Sequence, residues 1–67
     1  MDRRDQTLKD AQEALQANAF ERGLALAEAI LADVPNDAEA LYIAAVANRY
    51  LARHQDAQDY LDRLHSQ

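Results

Sequence analysis

Asp33-Val34-Pro35-Asn36-Asp37 is the stretch whose reading decides the fold of this 67-residue chain. Pro35 is the only proline. Its ring disfavours helical geometry at Val34, so a helix arriving from the N-terminal side must stop there. Asn36 then offers a side-chain oxygen to free amides, with Glu39 three residues on in a box-like arrangement, so a new helix starts near Asp37. Both flanks are rich in alanine and leucine, the strongest helix formers. The break is therefore a hinge between two helices rather than a strand boundary.

Working outward, two weaker breaks appear at Asn18-Ala19 and Ala52-Arg53. Asn tolerates the left-handed conformation that ends many helices, so Asn18 is a credible stop, whereas Ala52 is a poorer one. Four helices are predicted, over residues 3–17, 20–33, 37–51 and 54–65, joined by links short enough to force antiparallel hairpins. Asp5 and Lys9, and again Asp59 and Arg63, are acid-before-base pairs at i,i+4, each expected to add a few tenths of a kcal/mol. No segment alternates as a strand does. The expected fold class is all-α.

The composition excludes several functions. Seven Lys and Arg against twelve Asp and Glu give a net charge of −5, spread along the chain. Such a chain has no basic stripe for phosphate backbones, so nucleic acid is not an expected partner. No apolar run approaches the roughly 18 residues needed to cross a bilayer, and Met1-Asp2-Arg3-Arg4-Asp5 does not read as a signal peptide. With no cysteine, disulfides and most zinc chemistry are excluded, and a reducing, cytoplasmic location is the expectation. His54 and His65 lie eleven residues apart, about 16 Å along a helix, too far to share a metal ion. His54 is expected in a turn and His65 at a helix end. Ser66 and Thr7 have no base-and-orienter set, and the acid pairs Asp56–Asp59 and Asp59–Asp62 lie on exposed helix. No catalysis, cofactor or metal is expected within these residues.

Sliding the chain by 34 positions lays Ala11 on Ala45, Ala17 on Leu51, Phe20 on His54, Gly23 on Ala57, Ala27 on Leu61 and Ile30 on Leu64. Small residues fall on small and apolar on apolar, with the exception of His54, and the two weaker breaks coincide. This period and its small positions resemble the tetratricopeptide repeat. Leu41, Ala44, Ala45 and Asn48, then Ala57 and Leu61, stand at its motif positions in the second unit. Thr7, Asp10, Ala11 and Ala14, then Gly23 and Ala27, stand there in the first, which Pro35 closes. Residues 20–42 are especially close to the family's helix B, proline turn and next helix A. The resemblance covers the whole chain and implies one domain, residues 1–67, with repeat 1 at about 3–36 and repeat 2 at about 37–67. It implies two tandem hairpins, the start of an α-solenoid. Thr7 and Asp10 put polar groups where the family packs apolar ones, and Asn48 and His54 replace aromatics.

Ala11, Ala45, Gly23 and Ala57 are small enough for helix backbones to approach closely, and Leu24, Ile30, Leu31 and Val34 form a stripe for the third helix to cover. The last helix, with Leu61 and Leu64, would by the same logic want a neighbour. At about 100° per residue, Leu41, Ala44, Ala45, Asn48 and Leu51 share one face of the third helix, while Tyr42, Ile43, Val46 and Tyr50 share nearly the opposite one. The resemblance implies that this second face lines a concave, ligand-binding groove. The groove set is then Leu8, Lys9, Gln12, Leu15 and Gln16 from the first helix with Tyr42, Ile43, Val46, Arg49 and Tyr50 from the third. Some family members clamp a peptide's terminal carboxylate with Lys and Asn. Here those places hold Leu8, Gln12 and Ile43, so no such clamp is expected.

The expected function is a non-catalytic scaffold that holds a peptide, a partner protein or a second copy in this groove. An alternative comes from residues 37–51, which look like the repeat region preceding some bacterial sulfotransferase domains. That resemblance implies an N-terminal regulatory or assembly segment of a larger enzyme, with every residue for a phosphoadenosine phosphosulfate donor lying downstream.

Overall fold

The Pro35 hinge is a β-turn: the Asp37 amide donates to the Val34 carbonyl at 3.1 Å, with Pro35 in the second position. The structure, a computed structural model, describes residues 3–66. Among them the order is α1 (Arg3–Gln16), α2 (Phe20–Asp33), α3 (Ala38–Tyr50) and α4 (His54–His65), with no strand. The predicted helices agree with these to within a residue or so at each end. Each helix packs on its neighbour in sequence, and α1 also reaches α3.

Asp37, rather than Asn36, caps α3. Its backbone is extended, and its side chain accepts from the Ala40 amide at 3.1 Å, satisfying one of the donors that a helix start leaves over. Asn36 and Asp37 are both capping residue types. Only the turn geometry decides between them.

The two weaker breaks are the same structure made twice. Asn18 and Ala52 both take the left-handed conformation, at φ 62° and 63°. The Ala19 amide donates to the Ala14 carbonyl at 2.8 Å and the Asn18 amide to Leu15 at 3.1 Å. In the second break Arg53 donates to Asn48 at 2.8 Å and Ala52 to Arg49 at 3.1 Å. This paired closure, the Schellman motif, uses up carbonyls that the helix end leaves free. Asn accepts the left-handed region readily, whereas Ala meets a Cβ clash there. Ala52 is accordingly a strained link.

The core is thin and alanine-rich: Ala11, Ala27, Ala40, Ala44 and Ala47 are fully buried beside Leu8, Leu24, Ile30, Leu31, Leu41 and Ile43. Small side chains let the helices close up, giving a slab of 34 × 28 × 14 Å. Gly23 shows the tightness, because a Cβ there would stand 3.1 Å from Leu15 Cδ2 and 3.5 Å from the Ala11 carbonyl. Leu24, Ile30 and Leu31 are buried as expected, but Val34 lies past the end of α2 and is exposed.

Two sequence expectations are corrected. The i,i+4 ion pairs do not form: Arg4 takes Asp5 at 3.3 Å, Gln55 donates to Asp59 at 3.0 Å, and Arg63 turns to the Pro35 carbonyl at 2.6 Å. The open apolar face expected on α4 is also not there. Leu61 and Leu64 are half-buried, and the outward side carries the bonded pairs Gln55–Asp59 and Gln58–Asp62. Of the described residues, none of the exposed large apolar side chains is on α4.

Removing the strain at Ala52 should stabilise the fold. Ala52→Gly is expected to gain about 1 kcal/mol in urea denaturation, with Asn18→Gly changing stability by less. A loss of stability in Ala52→Gly would contradict the left-handed assignment.

Candidate functional site: the outer face of the third helix

Helix α3 is packed against α2 and α4 and touched by α1, and seven of its thirteen residues are buried. Leu41 and Asn48 have the largest fully enclosed side chains among the described residues. Asn48 is accommodated by bonding within its own helix, its Nδ2 donating to the Ala44 carbonyl at 2.8 Å. Against that background the other side of α3 stands out. Tyr42 is 57% exposed and Tyr50 is 67% exposed, with Val46 half-buried between them.

Two adjoining depressions run along this side. One lies beside α1 and is lined by Gln12, Ala38, Glu39, Tyr42 and Ile43. The next, an open hollow of about 530 Å³, is lined by Tyr42, Val46, Arg49, Tyr50 and His54. Tyr42 is common to both, so they form one surface.

Of the ten groove residues expected from the sequence, six line this surface: Gln12, Tyr42, Ile43, Val46, Arg49 and Tyr50. Ile43 is only its floor, at 3% exposure. Leu8 is a buried core residue, and Leu15 packs into the α1–α2 seam against Gly23. Leu8 is closed off by that packing, and the half-buried Leu15 lines neither depression. Lys9 and Gln16 are exposed on α1 but line neither depression. The expectation missed Ala38, Glu39 and His54. His54 is the first residue of α4, not part of a turn. The tight closure at Ala52 returns it beside Tyr50, which the short link between the helices already implied.

Tyr50 is held by Phe20 of α2, the two rings stacked 4.5 Å apart and within 3° of parallel. Such a pair adds about 0.5–1.5 kcal/mol beyond burial and pre-orders one end of the surface. At the other end, Arg4 of α1 grips the start of α3. Its Nε and one terminal nitrogen meet the two Asp37 carboxylate oxygens at 2.5 and 3.0 Å, and Glu39 lies 3.4 Å away. The Asp37 side chain is almost fully buried. The Arg4 hydrogen bonds hold its carboxyl below the usual value of 3.8, assisted by the Ala40 amide and opposed by burial. Facing outward, Arg49 has no carboxylate within salt-bridge distance among the described residues, while Glu39 shares Arg4. The face is thus close to neutral on an acidic chain.

A third depression, between α2 and α4 above Asn48, is lined by Leu24, Glu28, Asp56, Asp59, Tyr60 and Arg63. Three of its groups are engaged with one another. The Tyr60 hydroxyl donates to Glu28 at 3.2 Å, and the Arg63 guanidinium lies 5.5 Å over the Tyr60 ring while bonding Pro35. Burial and the Glu28 charge push the Tyr60 hydroxyl's pKa up, so it keeps its proton. This arrangement straps α4 to α2 and offers no activated nucleophile. Among the described residues no three metal-binding side chains come together, and no helix is long and apolar enough to cross a membrane.

No protein-family model, curated protein or solved structure matches this chain.

The Asp37 tie gives stability a definite pH dependence. Its folded-state pKa is lowered, so its contribution is present above about pH 3.8 and is lost as pH falls through the folded value. Asp37→Asn keeps a capping oxygen but removes the charge, and should cost about 1–2 kcal/mol at neutral pH. Asp37→Ala loses both and should cost about 2–3 kcal/mol. In urea titrations the gap between wild type and Asp37→Asn should close as pH drops below that value. A gap independent of pH would contradict the tie.

Proposed function

We propose that this chain is a non-catalytic, tetratricopeptide-like interaction module of two repeats that holds a protein segment against the outer face of α3. Support for the repeat reading comes from the identical helix closures at Asn18 and Ala52, 34 residues apart. The observation that carries the functional reading is the exposure of Tyr42 and Tyr50 on the most buried helix of the molecule. Tyrosines presented in one strip beside an arginine are the composition of binding hot spots: large, stiff, apolar in body and polar at the tip. Tyr50 is already ordered by Phe20, so less side-chain entropy is lost when something settles on it.

Selection of a displayed library of random peptides on the immobilised chain tests the reading. Peptides enriched on the wild type should lose binding at least about tenfold on Tyr42→Glu/Val46→Glu, since each of two central contacts carries more than about 1 kcal/mol. They should be retained on Gln58→Glu, which alters α4. No enrichment, or equal binding to all three proteins, would overturn it.

A further inference from the structure

Between Ala38 and Tyr50 at its two ends, the outward side of α3 carries Glu39, Tyr42, Val46 and Arg49. Their spacings of three, four and three keep them within one strip of the helix. The strip is also symmetric about its midpoint. Glu39 and Arg49 lie equally far from Ala44 along the axis, about 7.5 Å each way, and Tyr42 and Val46 lie equally far inside them. Turned end for end, the strip therefore presents an acid where it has a base, and an aliphatic group where it has an aromatic one.

Resting on the reading of this face as an interaction surface, we infer that its partner is a second copy of this chain, docked with α3 antiparallel to α3 across a two-fold axis level with Ala44. In that arrangement Tyr42 of each copy meets Val46 of the other, and Glu39 of each stands at the height of the other's Arg49. The apolar contact and the ion pair each form twice, as an isologous interface requires. The intramolecular contacts leave the surface free to do this. Arg49 has no carboxylate partner of its own among the described residues, and the Glu39 side chain is 60% exposed although it shares Arg4. The chain carries a net charge of −5, which would oppose self-association through most of its surface. On this strip one acid faces one base, so like-charge repulsion at the contact is smallest here.

Sedimentation equilibrium of the full chain over a wide concentration range tests this, with circular dichroism confirming that each variant is folded. The wild-type mass should rise from 7.5 kDa towards twice that value. Arg49→Glu, which breaks no bond within the monomer, and Glu39→Arg should each weaken the dimer about tenfold or more. The double variant Glu39→Arg/Arg49→Glu should recover it, because the reversed pairs are again complementary. A wild type that stays monomeric overturns the self-pairing and leaves the peptide selection above to decide the wider reading. A dimer that Arg49→Glu does not weaken also overturns it. If the dilution-dependent amide shifts of such a dimer fall on α4, the α3 face itself is the wrong surface.

Discussion

One buried carboxylate sets the geometry on which the rest depends. Asp37 ends the Pro35 turn, caps α3 through the Ala40 amide and receives both arms of the Arg4 fork from α1. A carboxylate this enclosed is tolerable only because each oxygen is bonded, and a two-armed guanidinium fixes direction as well as charge. The tie fixes where α3 starts and how it is rotated against α1. That rotation decides which residues point inward. With Asp37 as cap, Leu41, Ala44 and Asn48 face the core and Tyr42, Val46 and Arg49 face outward.

The alanine core has a matching consequence. Small side chains bring helices close, but each buries little area, so a chain of this size has little stability in reserve. Local devices then matter more than in a larger domain: the two Schellman closures, the Phe20–Tyr50 stack, and the strap from Tyr60 and Arg63 to Glu28 and Pro35. One of them is imperfect, since Ala52 occupies a conformation that suits glycine or asparagine. The polar outer side of α4 lowers the apolar area left in water, and concentrates what remains on α3.

Elements governed by neighbours in sequence were legible before the structure was. Pro35 and Asn18 marked their breaks, and helix limits followed from them. Interactions reaching across the chain were not. The bond from Arg4 to Asp37 spans 33 residues, and nothing local distinguishes Arg4 from Arg3. It also takes Asp5, the residue expected to pair with Lys9. Leu8 and Leu15 were placed in the groove by resemblance to a family pattern, yet Leu8, Ala11 and Leu15 recur at the i, i+3, i+7 spacing of a core stripe. The period alone pointed the right way. On α3 the outward tyrosines are exposed as their face implied, whereas Ile43, assigned to the same face, is buried in the core.

If α3 is the element that holds the module together and Arg4 joins α1 to it, native-state hydrogen exchange should resolve one cooperative unit. The amides of Leu41, Ala44, Ala45 and Asn48 should then be the slowest to exchange. Those in the middle of α1 should open with the same free energy. An α1 that opens well below α3, or an α3 that exchanges as fast as α4, would contradict it.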